Sequence, residues 1–145
     1  MFAQFSINRS SPPSDFATEK FDFILIRSIF THLTENSQKN WLEEFYRITT
    51  SNGIILFTVH GDNFLHILTP KEAIRYRKGD LVVRNENLEG TNKCAAFHPP
   101  KYLYRMLTEC GFEIIDKIPG GTIEYANQDT YLARKISGHN YRLNE

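Results

Sequence analysis

Apolar residues fall along this chain in short runs and helical stripes, separated by polar turns. Phe23-Ile24-Leu25-Ile26, bounded by Asp22 and by Arg27-Ser28, predicts a short strand buried on both faces, as inside a parallel sheet. Trp41, Leu42, Phe45 and Ile48 then recur at the spacing of one helix face, with Lys39, Glu43, Glu44 and Arg47 opposite and helix-start chemistry at residues 34–37. Thr50-Ser51-Asn52-Gly53 ends that helix, and residues 54–59 predict a second buried strand running into His60-Gly61-Asp62. Strand, helix and strand with short joints form a right-handed parallel crossover, which brings Arg27-Ser28 and His60-Gly61-Asp62 to one sheet edge. In open α/β sheets that carboxyl edge is where ligands bind.

Further on, Thr69-Pro70-Lys71-Glu72 reads as a capping box opening a short helix that ends near Gly79. Leu81-Val82-Val83 is extended, and the polar stretch 85–93 within residues 80–100 reads as a long loop of the kind used for lids and binding segments. Tyr102, Leu103, Met106, Leu107 and Cys110 mark a third helix, closed by Gly111. Residues 112–118 and 130–133 predict two strands about the turn Pro119-Gly120-Gly121, antiparallel because no helix joins them. At the start, residues 2–8 alternate weakly and predict one short strand, with Pro12-Pro13 in the loop after it. An α/β domain over residues 1–136 with a polar tail, 137–145, accounts for the whole pattern.

Composition narrows the function. The 145 residues can bury one core and carry 17 Lys plus Arg against 17 Asp plus Glu, so no net charge draws nucleic acid or an anionic membrane over long range. No apolar run approaches the roughly 20 residues that span a bilayer, and no leader pattern opens the sequence, so a cytoplasmic protein is expected. Cys94 and Cys110 form neither a disulfide framework nor a paired metal motif, and Cys110 falls on the core face of its helix. His32 and His60 follow the two strands at the expected ligand edge, where an imidazole serves as general base. His98 sits with Phe97 in the long loop; the spacing of His32, His60, His98 and Asp62 matches no metal pattern, and no metal is expected.

Phe21-Asp22 opening a strand, Ser28-Ile29-Phe30-Thr31-His32-Leu33 after it, Trp41-Leu42-Glu43-Glu44 and Tyr46-Arg47 in the helix, and Asn52-Gly53 leading through the second strand to His60-Gly61 together resemble the second half of a class I S-adenosylmethionine-dependent methyltransferase. Thr69-Pro70-Lys71-Glu72, Gly79-Asp80-Leu81-Val82-Val83-Arg84, Cys94-Ala95-Ala96-Phe97-His98-Pro99 and Gln128-Asp129-Thr130-Tyr131-Leu132 are similar to the later part of a bacterial subgroup. The resemblance implies a partial Rossmann-like fold spanning the family's strands three to seven, mostly parallel with an antiparallel last strand. It implies S-adenosylmethionine as cofactor, with Arg27, Ser28 and the Phe30 ring as its remaining contacts, and an unidentified small-molecule substrate, with His98 and Phe97 on the substrate side.

The Gly-rich turn and the ribose-binding acidic residue of the family have no counterpart in the sequence, since Gly120-Gly121 leads to no helix start. A truncated or split enzyme, inactive alone, follows from the resemblance. The family's first strand would pair with residues 23–26, leaving that strand as an open edge here. A homodimer or a complementary amino-terminal chain would cover it, and a non-enzymatic partner-binding module is the alternative.

Overall fold

The computed structural model describes residues 3–122 and 126–138. In chain order it contains β1 (Phe21–Ile26), α1 (Glu35–Ile48), β2 (Thr49–Val59), α2 (Pro70–Lys78), β3 (Val82–Arg84), β4 (Ala95–Phe97), α3 (Pro100–Glu109), β5 (Phe112–Ile118) and β6 (Asp129–Lys135). Short 3₁₀ turns occupy Phe30–His32, Asp62–Ile67 and Glu86–Leu88. Four strands lie side by side in the order β1-β2-β6-β5. β1 and β2 are parallel, and β6 is antiparallel to both β2 and β5. This is the expected α/β architecture, with a mixed sheet, flanking helices and an antiparallel final strand.

Local chemistry explains the helix ends. Thr34 caps α1 by accepting from the Ser37 amide. At α2, the Thr69 hydroxyl accepts from the Glu72 amide while the Glu72 carboxylate accepts from the Thr69 amide, Pro70 occupies the first turn, and Gly79 closes the helix at φ 95°. The turn expected at residues 50–53 forms inside a strand instead. β2 starts directly after α1, Phe21 pairs with Thr49 and Phe23 with Ile54, and the residues between bulge out at Asn52, φ 63°.

The core lies on one face of the sheet. Ile26 of β1, Ile55, Phe57 and Val59 of β2, Tyr131 and Ala133 of β6 and Phe112 of β5 pack with Trp41 and Leu42 of α1 and Leu103, Met106 and Leu107 of α3. Side chains alternate across a strand, so the intervening residues point away from both helices. On that second face Leu25, Leu56 and Leu132 form a row in register, beside Phe23 and Ile54. Phe23 is 53% and Leu25 60% exposed, which corrects the expectation of a strand buried on both faces. Complete burial of each would contribute about 1.5–3 kcal/mol, and nothing among the described residues supplies the cover.

Two further expectations are corrected. Residues 3–8 form no strand; Phe5 and Ile7 are exposed, because no sheet edge takes up their backbone, and Phe2 lies outside the described residues. The long loop at 80–100 contains a small antiparallel ribbon, β3 with β4, which meets the main sheet where His60 bridges to Phe97. Of the expected tail, residues 139–145 lie outside the described residues. The segment before β1 is strapped to α1: buried Glu44 accepts from the Ser14 amide and hydroxyl, and Arg47 donates to Glu44 and to the Phe16 carbonyl.

Candidate functional site at the carboxyl edge of the parallel strands

Both parallel strands end at the same edge, and the chain turns sharply at each end. Ser28 follows β1 in the left-handed conformation, φ 55°, which costs a non-glycine residue free energy and needs support from its surroundings. That support is a set of hydrogen bonds. The Ser28 amide donates to Thr58 Oγ1 at 2.9 Å, its hydroxyl donates to Gln128 Oε1 at 2.8 Å, and its carbonyl accepts from the Thr31 hydroxyl at 2.8 Å. The loop is thereby fixed to β2 and to the start of β6. A cavity of about 490 Å³ opens beside it, walled by Arg27, Ser28, Thr58, Phe64 and Gln128.

His32 and His60 stand at this edge and are oriented by β4 and the residue before it. His32 Nδ1 lies 2.9 Å from the Cys94 carbonyl, and His60 Nδ1 lies 3.1 Å from the Ala96 carbonyl. A carbonyl oxygen only accepts, so each neutral imidazole carries its hydrogen on Nδ1 and keeps the lone pair on Nε2. His60 packs against Phe64, centroids 4.4 Å apart, and against Phe97 at 5.4 Å. Burial pushes its pKa below the usual histidine value, the Ala96 contact opposes this, and His32 adds to the lowering. His60 is therefore a neutral proton acceptor near pH 7.

The other expected site residues lie beneath this surface. Phe30 is fully buried against Phe57, and Phe97 is buried among Val82 and Tyr76. His98 is sealed from solvent in the core. Its surroundings define its tautomer: the Gln38 amide nitrogen donates to the Phe30 and Leu33 carbonyls, so Gln38 Oε1 must accept from His98 Nε2, 3.0 Å away. These three residues support the floor and offer a ligand no open face. Gln38, whose polar side chain is hidden on a helix, gives no sign of this role in the sequence.

Asp129 is a second residue that the sequence pattern does not reveal. It is buried at the start of β6, accepts from the Gly120 amide at 2.8 Å and faces the Lys117 ammonium at 3.0 Å. Its carboxylate fills the space where a side chain at position 61 would begin, which makes Gly61 a requirement of close packing. Among the described residues, no three His, Cys, Asp or Glu side chains gather as metal ligands.

S-adenosylmethionine fits the described residues only in part. Arg27 and the Gln128 NH₂ match a polar, carboxylate-bearing group, while Ser28, both of whose donors are used within the protein, shapes the wall. No acidic side chain among the described residues lines the cavity to take ribose hydroxyls, so no step is routed through the cofactor here.

No family model matches the sequence, and no curated protein matches it. Solved structures do match the fold. A SAM-dependent methyltransferase from Methanosarcina mazei superposes with a TM-score of 0.60 at 20% identity, covering 84% of this chain and 62% of its own. The 1,6-didemethyltoxoflavin-N1-methyltransferase of Burkholderia thailandensis, solved with 1,6-didemethyltoxoflavin and S-adenosylhomocysteine, gives 0.58 at 14%, covering 83% and 46%. A methyltransferase from Haloferax volcanii in complex with its Trm112 activator gives 0.54 at 10%, covering 84% and 57%. This chain thus spans about half to two thirds of the length of these proteins, and over that length its fold is that of SAM-dependent methyltransferases.

Proposed function

We propose that this chain supplies the acceptor-side part of an S-adenosylmethionine-dependent methyltransferase and takes its main cofactor contacts from a complementary amino-terminal part. The observation that carries this reading is the sheet itself. Its order β1-β2-β6-β5, parallel at one end and antiparallel at the other, is that of a methyltransferase-like fold in which β1 has no second neighbour among the described residues. When bound, the cofactor supplies a methyl group on a sulfonium. The residues here would do the remaining work: Arg27 and Ser28 hold the polar end of a ligand at the β1 edge, and His60 Nε2, with His32 beside it, takes the proton that an acceptor hydroxyl or amine loses as its lone pair bonds to the methyl carbon. Phe30, Phe97 and His98 fix the floor on which these groups stand.

A second reading is an association module without chemistry. The exposed Phe23 and Leu25, beside an apolar groove lined by Phe16, Trp41 and Phe45, favour it. The complex of a similar methyltransferase with an activator chain makes a partner reasonable under either reading.

Calorimetric titration of the chain with S-adenosylmethionine, with the solution mass measured on the same sample, tests both. Saturable micromolar binding, by the chain alone or after addition of a Gly-rich partner segment, supports the methyltransferase reading. A stable dimer that binds no cofactor under either condition supports the association module and removes the first.

A further inference from the structure

The cavity at the end of β1 has an unequal supply of hydrogen-bond donors. Thr58 Oγ1 accepts from the Ser28 amide, which leaves the Thr58 hydroxyl hydrogen without a partner among the described residues. Gln128 Oε1 accepts from the Ser28 hydroxyl, which orients the side-chain amide and leaves its NH₂ group free. Among the described residues, Arg27 brings the one formal charge on the wall and no carboxylate pairs with it. Phe64 adds an aromatic face, and Ala126, Asn127 and Thr130 complete the described wall, with one more side-chain amide and one more hydroxyl. A guanidinium fork, hydroxyls and side-chain amides around one cavity, with no anion among the described residues that line it, match a planar oxyanion bearing an aromatic or other flat apolar body.

We infer that this cavity is a carboxylate subsite in which Arg27 grips the anion and Thr58 and Gln128 complete its hydrogen bonds. The strained Ser28 backbone serves this arrangement. Its amide occupies Thr58 Oγ1 and the Ser28 hydroxyl occupies Gln128 Oε1, so the groups these two residues keep for a ligand on this wall are a hydroxyl hydrogen and an NH₂. Two small molecules can bring such a carboxylate, the methyl acceptor or the amino-acid end of the cofactor, and naming those two rests on the methyltransferase reading. The carboxylate preference itself rests on the donor inventory alone.

Saturation-transfer NMR on the full chain tests it with three probes: benzoate, its neutral isostere benzamide, and S-adenosylhomocysteine. Benzoate is expected to bind at least tenfold more tightly than benzamide, and Arg27→Gln to weaken benzoate at least tenfold. Arg27 is exposed and makes no hydrogen bond or ion pair with the described residues, so the variant is expected to keep the wild-type melting curve. Arg27→Lys keeps the charge but loses the fork, and is expected to fall between the two. If Arg27→Gln weakens S-adenosylhomocysteine equally, the carboxylate is the cofactor's; if that ligand is unaffected while benzoate is lost, it is the acceptor's. Equal binding of benzoate and benzamide, or unchanged benzoate binding in Arg27→Gln, overturns the subsite. Benzoate bound through Arg27 with no S-adenosylhomocysteine bound under any condition leaves the subsite standing and removes the methyltransferase reading.

Discussion

His98 makes the fold sensitive to acid over a defined range. The imidazole is sealed in the core with its Nε2 hydrogen on Gln38, and Nδ1 has no hydrogen-bond partner among the described residues. Burial, reinforced by the neighbouring His60, pushes its pKa down to about 3. In the unfolded chain a histidine titrates near 6.5, so between these values the unfolded state binds a proton that the folded state excludes. The group's contribution is therefore complete above pH 6.5 and is lost as the pH falls, at about 1.4 kcal/mol per unit. At pH 5 the loss reaches about 2 kcal/mol, a large part of the 5–15 kcal/mol typical of a domain. His98→Gln keeps an amide N–H for Gln38 and cannot titrate. Urea unfolding of both proteins at pH 7, 6 and 5 is the assay. The variant is expected to be less stable at pH 7, since a ring leaves the core, and the gap to wild type should close by about 2 kcal/mol at pH 5. His60 is present in both and cancels, and Glu44 and Glu72, held at about 2 first by Arg47 and Arg84 respectively, change only below pH 4.5. Parallel pH slopes for the two proteins would refute a neutral, buried His98.

Other substitutions probe separate parts of the structure. Gly61→Ala drives a methyl into the Asp129 carboxylate and is expected to cost about 2 kcal/mol or more, seen as a drop of several degrees in thermal unfolding. Thr69→Ala removes the capping box of α2 and should cost about 1 kcal/mol in the same measurement. Glu44→Gln weakens the strap that holds Ser14 and Arg47, for about 1–3 kcal/mol at pH 7; wild type should approach the variant as the pH falls from 4.5 towards 2, where its carboxylate protonates. Replacing Phe23 and Leu25 by serine should change monomer stability by less than about 1 kcal/mol, since both are already exposed, while lowering self-association in sedimentation runs at high concentration.

What the pattern of residues reveals depends on how many side chains share one environment. α1, α2 and α3 each place four or more residues against a common face or carry explicit caps, so their extents and the order of the long strands are visible from periodicity. β1 is misjudged for a physical reason: four apolar residues in a row indicate a strand that two layers could bury, and they carry no information on whether both layers are present. The bulge at residues 50–53 is visible as turn chemistry, but whether the chain there reverses or only steps out of register depends on Phe21 pairing with Thr49, a contact made nearly thirty residues away.

The site shows the same limit more sharply. That His32 and His60 fall at the carboxyl edge of the parallel strands follows from the crossover, yet the tautomers of both rings are chosen by a three-residue strand, and the residue before it, too short for any alternation to register. Along β4 the carbonyls of residues two apart project to the same side, so Cys94 and Ala96 meet His32 and His60 in turn and leave both Nε2 lone pairs free. His98, next along the chain after Phe97, follows the end of that strand into the core and meets Gln38 instead. Three histidines of one residue type thus acquire two different chemistries from the path of the backbone around them. A variant that shifts β4 by one residue would turn these carbonyls away from both rings, and with them would go the tautomers on which the proposed proton transfer depends.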